Sequence, residues 1–169
     1  MNDFYAVSAE SIENAVKLIG TDWMLITVKD KKNGRVNAMT ASWGAMGVLW
    51  NKSICICFVR PQRHTHELLE SEDELSIAFF DGEHRDALKL CGRESGRDCD
   101  KLKKCGLSTL ELDGVPIINE AKLVLSCKKL YVDELKEASF IDKSLLSNYA
   151  NNDYHTVYVC EIKNCYQKG

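Results

Sequence analysis

Ile54–Val59 reads Ile-Cys-Ile-Cys-Phe-Val, an apolar run with no polar face. A half-exposed strand alternates apolar and polar side chains; a run that is apolar at every position belongs inside a sheet, buried on both sides. Arg60–Thr65 follows at once as Arg-Pro-Gln-Arg-His-Thr, and a helical pattern starts there. Such a strand end can collect a phosphate. Guanidinium forks pair with phosphate oxygens. Pro61 fixes the backbone between the two arginines. His64 or Thr65 lies at a helix start, where unpaired amides and the positive dipole end add to the attraction. The plain alternative is a solvated arginine rim.

A chain of 169 residues fits one domain over 1–169. Its 45% hydrophobic and 28% charged residues are those of an ordinary globular protein. A net charge of −3 makes nucleic acid or an anionic membrane a poor default partner. No apolar run approaches the roughly 18 residues of a membrane span. Met1-Asn2-Asp3-Phe4 lacks the basic-then-apolar order of a signal peptide, so a cytoplasmic protein is expected. The eight cysteines form no C-x-x-C pair, which argues against a zinc knuckle or thioredoxin-type motif. Reduced, mostly buried thiols are the first expectation. A disulfide set or cluster ligands is the other.

In chain order, Ile12, Ala15, Val16 and Ile19 have helical spacing, so Ser11–Ile19 is expected to be a helix stopped by Gly20. Trp23–Lys29 and Arg35–Trp43 are strands joined through the Asn33-Gly34 turn. Gly44 and Gly47 loosen the next stretch, and Trp50–Ser53 is a turn. Thr65–Ser71 is a helix capped by Thr65, Leu75–Phe80 a strand and Glu83–Cys91 a helix. A glycine-punctuated loop, Cys91–Asp98, leads to a helix over Asp100–Cys105 that Asp98 can cap. Ser108–Leu112 is a strand, Asp113–Pro116 a turn, Ala121–Val132 a strand, Ile141–Tyr149 a helix and Tyr154–Lys163 a strand. The tally is about seven strands, several joined by tight turns, which predicts a mainly β, mostly antiparallel sheet that closes to hide its edges.

Arg35–Trp43 alternates imperfectly. Asn37, Thr40 and Ser42 interleave with Met39, Ala41 and Trp43 where a buried strand would carry bulk. These polar positions suit an exposed edge strand. Small residues beside polar ones equally let a flat aromatic ligand lie on the backbone while amide and hydroxyl groups read its edge. A flat ring plus a phosphate is a nucleotide-like cofactor.

Four segments in order carry a resemblance: Asn37–Gly44, Arg60–Thr65, Ser95–Asp98 with Asp100-Lys101, and His155–Val159. Over nearly the whole chain the sequence resembles the flavin reductase-like FMN-binding family, with the flavoredoxins as the nearest subgroup. The resemblance implies an FMN-binding split β-barrel of about six strands in Greek-key order, non-covalent FMN, and a homodimer with the flavin sites at or near the interface. By position, Asn37, Met39, Thr40, Ala41 and Ser42 would line the ring and ribityl chain. Arg60, Arg63, His64 and Thr65 would sit at the phosphate. The loop with Cys91, Ser95 and Arg97 would flank the flavin or else pack the dimer. His155 would stand near the flavin or its hydride donor, or serve as a hydrogen-bonded strand-end histidine. Asp98 caps its helix or touches ligand.

The protein would then supply binding, orientation and electrostatics, and the cofactor the redox chemistry. No nucleophile, triad or metal ligand is assigned. The leading expectation is an oxidoreductase taking hydride from NAD(P)H. The alternatives are an electron carrier with tightly held FMN reduced by a redox protein, and a binding module that uses the same barrel for another ligand. No G-x-G-x-x-G fingerprint occurs, so no dinucleotide-binding Rossmann unit is expected.

Overall fold

The structure, a computed structural model, describes residues 3–169. Its strands are β1 (Phe4–Val7), β2 (Met24–Lys29), β3 (Val36–Ala41), β4 (Gly44–Leu49), β5 (Lys52–Val59), β6 (Glu74–Phe79), β7 (Thr109–Leu112), β8 (Val115–Ile118), β9 (Leu123–Glu134) and β10 (Thr156–Lys168). Its α-helices are α1 (Ala15–Lys17), α2 (His64–Ser71), α3 (Arg85–Arg93) and α4 (Lys101–Cys105). One sheet runs β3-β2-β6-β9-β10-β5-β4, with β1 paired to β10, and every pairing in it is antiparallel. The β7–β8 hairpin forms a second, small sheet.

The period-2 alternation of β2, β3, β6 and β9 divides their side chains between two cores. Met24, Ile26, Val28, Met39, Leu75, Ile77, Phe79 and Leu125 meet Cys55, Cys57, Val59, Tyr158 and Cys160 inside the curled sheet. Leu25, Ala38, Ala78 and Val124 face the other way, against Leu88 and Cys91 of α3, Leu102 of α4 and Ile117 and Ile118 of β8. The helical layer that frames the site therefore rests on the outer face of β2 and β3.

Several elements differ from the sequence reading. Ser11–Ile19 is not one helix: Asn14 adopts φ 50°, its side chain caps α1, and Leu18–Asp22 continue in wider π-type turns. Gly44 and Gly47 lie within strand β4, not a loosened loop. Gly44 is needed there, because a Cβ would stand 2.8 Å from the Ile56 carbonyl oxygen and 3.0 Å from Met24 Cε. Strand β5 is not central. It lies beside the edge strand β4, with Cys55, Cys57 and Val59 fully buried and Ile56 and Phe58 half-buried on its outer side. Strands β2 and β6 are buried on both sides. Strand β8 takes up Val115 and Pro116, so the turn narrows to Asp113-Gly114, both at positive φ. Residues 143–149 form a tight 3-10 helix capped by Asp142. All eight cysteines are free, and six of them are buried.

Candidate functional site

The strand end after β5 and the polar strand β3 converge. The Asn37 side-chain amide donates to the Thr65 hydroxyl at 2.8 Å, both residues being buried. Thr65 is therefore not the helix cap. Arg63 occupies the cap position with extended backbone, and the Thr65 hydroxyl is turned sideways to β3. Above this contact a cleft of about 740 Å³ opens between β3, α2 and the segment 96–102, with Asn37, Ala38, His64, Gly96, Arg97 and Lys101 in its wall. Gly96 lies so close to Asn37 that a Cβ would collide with Asn37 Oδ1 and come within 3.2 Å of His64 Cδ2.

Beside Lys101 of the cleft wall stands a second cation, Arg63. Arg63 donates to the carbonyls of Gly92 (2.6 Å) and Cys91 (3.1 Å). The Lys101 ammonium, 4% exposed, donates to the same Cys91 carbonyl at 3.3 Å. Burial lowers the pKa of each, and for Lys101 the neighbouring guanidinium adds to it. Among the described residues no carboxylate forms an ion pair with either. Two like charges held together in a low-dielectric spot are costly without a counter-charge.

The remaining expected residues take varied places. His64 Nδ1 lies 3.2 Å from a Glu67 carboxylate oxygen, and Arg97 donates to that same oxygen and to the Gln62 carbonyl. Ser95 Oγ accepts from the Arg97 amide and so shapes the loop. Met39 and Ala41 send their side chains into the first core. The Thr40 hydroxyl donates to the Leu88 carbonyl at 2.6 Å, pinning α3 to β3. Ser42 is half-buried at the end of β3. From Met39 to Ala41 the main chain, not the side chains, is what this strand can offer a ligand. Cys91 is fully buried, its carbonyl being the polar group in use.

Arg60 points elsewhere. Its guanidinium pairs with Asp153 at 2.5 Å, donates to the Asn148 carbonyl at 3.0 Å and lies 5.2 Å from the Tyr149 ring centre. Gln62 reaches the same Asp153 oxygen. This anchors the segment before β10 and places Tyr149 so that its hydroxyl meets His155 Nδ1 at 2.9 Å. His155 is buried, tilted against the Trp43 ring at 5.2 Å between centres. Burial, then the Arg60 charge, brings its pKa down to about 4. The imidazole is neutral at pH 7.

Sequence reasoning passed over Lys101 and Gly96 as site residues. A lysine in the first turn of a helix opposes the helix dipole, so Lys101 directly after the cap Asp100 was the available signal. Asp100, not Asp98, accepts from the Lys103 amide, which leaves Asp98 exposed in the cleft wall.

The profile of the flavin reductase like domain family matches residues 16–169. No curated protein matches the chain. Among solved structures, an FMN-binding domain of a flavin reductase-like enzyme from Shewanella baltica OS155 superposes with a TM-score of 0.71 at 19% identity, covering 99% of this chain and 78% of that one. Flavoredoxin from Methanosarcina acetivorans gives 0.68 at 21% identity, over 96% and 76%. The styrene monooxygenase flavin reductase from Pseudomonas putida S12 gives 0.66 at 14% identity, over 90% and 83%. At these identities the likeness speaks for the fold, an antiparallel split barrel with short helices.

Proposed function

Since the chain belongs to the flavin reductase-like family, we propose that it is a flavoprotein oxidoreductase that holds FMN in the Asn37–His64–Lys101 cleft, takes reducing equivalents from NAD(P)H and passes them to an acceptor. The observation that carries this reading is the buried Lys101 ammonium beside the half-buried Arg63 guanidinium, which have carbonyl partners and, among the described residues, no carboxylate in an ion pair with them. A phosphate monoester supplies the missing negative charge, and one end of FMN is that group. The name of the Shewanella baltica relative, which is FMN-binding, supports the choice of cofactor.

Arg63 and Lys101 would hold the phosphate, with His64 beside them. Asn37, fixed by Thr65 and crowded by Gly96, would set the floor. The main chain from Met39 to Ser42 would meet the flat ring, since Met39 and Ala41 are spent on the core and Thr40 on α3. Bound there, FMN would supply the two-electron acceptance that hydride transfer from a nicotinamide needs. His155 contributes a neutral imidazole with its Nδ1 fixed by Tyr149, so it can orient a neighbour by hydrogen bonding without adding charge at pH 7.

The reading extends to a homodimer with the flavin near the interface. Val48, Leu49 and Trp50 at the β4–β5 turn and Leu130, Tyr131 and Val132 on β9 are exposed, with the Trp50 and Tyr131 rings 6.4 Å apart. An apolar patch of this kind supports a partner surface. Sedimentation velocity tests it; a monomer at micromolar concentration defeats it.

The visible spectrum and an FMN titration of the purified protein test the cofactor. Lys101→Met is expected to weaken FMN by about 1.5–3 kcal/mol, the scale of a charge-assisted hydrogen bond. Anaerobic mixing of the FMN-loaded protein with NADH or NADPH tests the reaction. Bleaching of the flavin band at turnover rates supports the enzyme; no bleaching with either nucleotide transfers the assignment to an electron carrier served by another redox protein.

A further inference from the structure

Three cysteines cluster where α3 meets α4. Cys91 Sγ lies 3.9 Å from Cys105 Sγ. Cys91, fully buried on α3, and the half-buried Cys105, the last residue of α4, pack in the same core. The nearby Cys99 is engaged differently, its thiol donating to the Glu94 carboxylate at 3.0 Å, whose two oxygens also accept from Lys104. The pair is thus set apart from the third thiol by its contacts. Cys91 is also the residue whose carbonyl receives both Arg63 and Lys101.

We propose that Cys91 and Cys105 form a reversible disulfide that latches α3 to α4 and, with them, the Arg63–Lys101 anchor above which the cleft opens. The separation must close from 3.9 Å to the about 2 Å of a sulfur–sulfur bond, a shift within reach of side-chain rotation. The oxidant is a low-molecular-weight disulfide. Cys105, the more accessible thiol, attacks as thiolate, one small thiolate leaves, and a mixed disulfide forms. Cys91 then gives its proton to the leaving thiolate and attacks Cys105 Sγ, releasing the second small thiol. Two protein thiols and one small disulfide become one protein disulfide and two small thiols, so two electrons pass out of the protein. Burial pushes the Cys91 thiol up to about 12, so it does not open the exchange; its place 3.9 Å from Cys105 Sγ is what lets it close the bond in the second step. The hydrogen bond to Glu94 raises Cys99, keeping it out of the exchange.

The latch bears on ligand grip, a part that rests on the FMN reading. Lys101 opens α4 and the Cys91 carbonyl lies on α3, so fixing the two helices pre-organises the anchor. The experiment treats the reduced full-length protein with glutathione disulfide and maps the products by peptide mass spectrometry. The expected product has one intramolecular Cys91–Cys105 link, six remaining thiols of the eight, and full reversal by dithiothreitol. Cys105→Ser should retain all seven of its thiols. In the unsubstituted protein a persistent glutathione adduct on Cys105, a Cys99–Cys105 link, or no loss of thiols overturns the proposal; should Cys105→Ser not fold, Cys91→Ala should trap the glutathione adduct on Cys105, and its failure to do so overturns the proposal. FMN titration of both forms should show at least threefold tighter binding when oxidised; equal affinity refutes the latch. If neither form binds FMN, the proposed function fails while the peptide map still decides the disulfide.

Discussion

Asn37 on β3 and Thr65 on α2 share a buried hydrogen bond of 2.8 Å, and that bond is where two segments of the chain become one wall of a cleft. Asn37→Ala and Thr65→Val should each cost about 1–2 kcal/mol of stability, because each strands a buried polar partner. The double variant should cost about as much as either single change. Urea unfolding of the four proteins measures this; simple additivity would mean that the contact carries no coupling.

Gly96→Ala should disable the cleft more than it unsettles the fold. The added methyl collides with Asn37 Oδ1 and approaches Asn37 Cγ to 2.9 Å, so the Asn37 amide must swing off Thr65 or the loop must lift. We expect FMN affinity to fall by at least tenfold. Combining it with Asn37→Ala should remove most of the added defect, because the obstructing atoms are gone. Isothermal titration reads both; an unrescued loss would place the fault in the loop backbone.

His155 gives the protein an acid-side weakness. Its folded pKa of about 4 lies below the unfolded value of about 6.5, so the unfolded chain binds the proton first. Its neutral form is accommodated in full above pH 6.5. Stability is then lost as pH falls from 6.5 to about 4, by about 2–3 kcal/mol. His155→Gln, which keeps a partner for Tyr149, should flatten this part of the curve of urea midpoint against pH. An unchanged slope would assign the loss to carboxylates instead.

Arg60 and Lys101 should separate cleanly. Arg60→Ala removes the ion pair to Asp153 and the bond to the Asn148 carbonyl, leaving Asp153 to Gln62 alone, so amide exchange should quicken severalfold between residues 142 and 153 while FMN affinity changes less than twofold. Lys101→Met should do the reverse. Exchange mass spectrometry beside an FMN titration distinguishes them, and a large affinity loss in Arg60→Ala would put that guanidinium at the ligand.

Much of the fold is readable from the chain. The strand positions of β2, β3, β5, β6, β9 and β10 follow from apolar period and turn residues, and the nearness of Asn37 to Thr65 follows from the motifs. The unreadable part depends on partners distant in sequence. Arg60 and Arg63 sit three residues apart with the same chemistry, yet one meets Asp153 and the other the end of α3, and no local pattern separates them. Strand β1 exists because β10 gives it an edge to pair with, and β4 because a glycine fits under the Ile56 carbonyl. Lys101 looks like one surface lysine of three in Lys-Leu-Lys-Lys until packing buries it.

The anchor is assembled from Arg63 at the start of α2, the Cys91 carbonyl of α3 and Lys101 of α4, which no short stretch of chain contains. An opened polypeptide therefore offers an anion nothing to hold, and ligand occupancy and global folding become linked equilibria. At a free concentration of one hundred times the dissociation constant, a single bound phosphate ester would deepen the native well by about 2.7 kcal/mol. The melting temperature would then serve as a ligand assay in its own right.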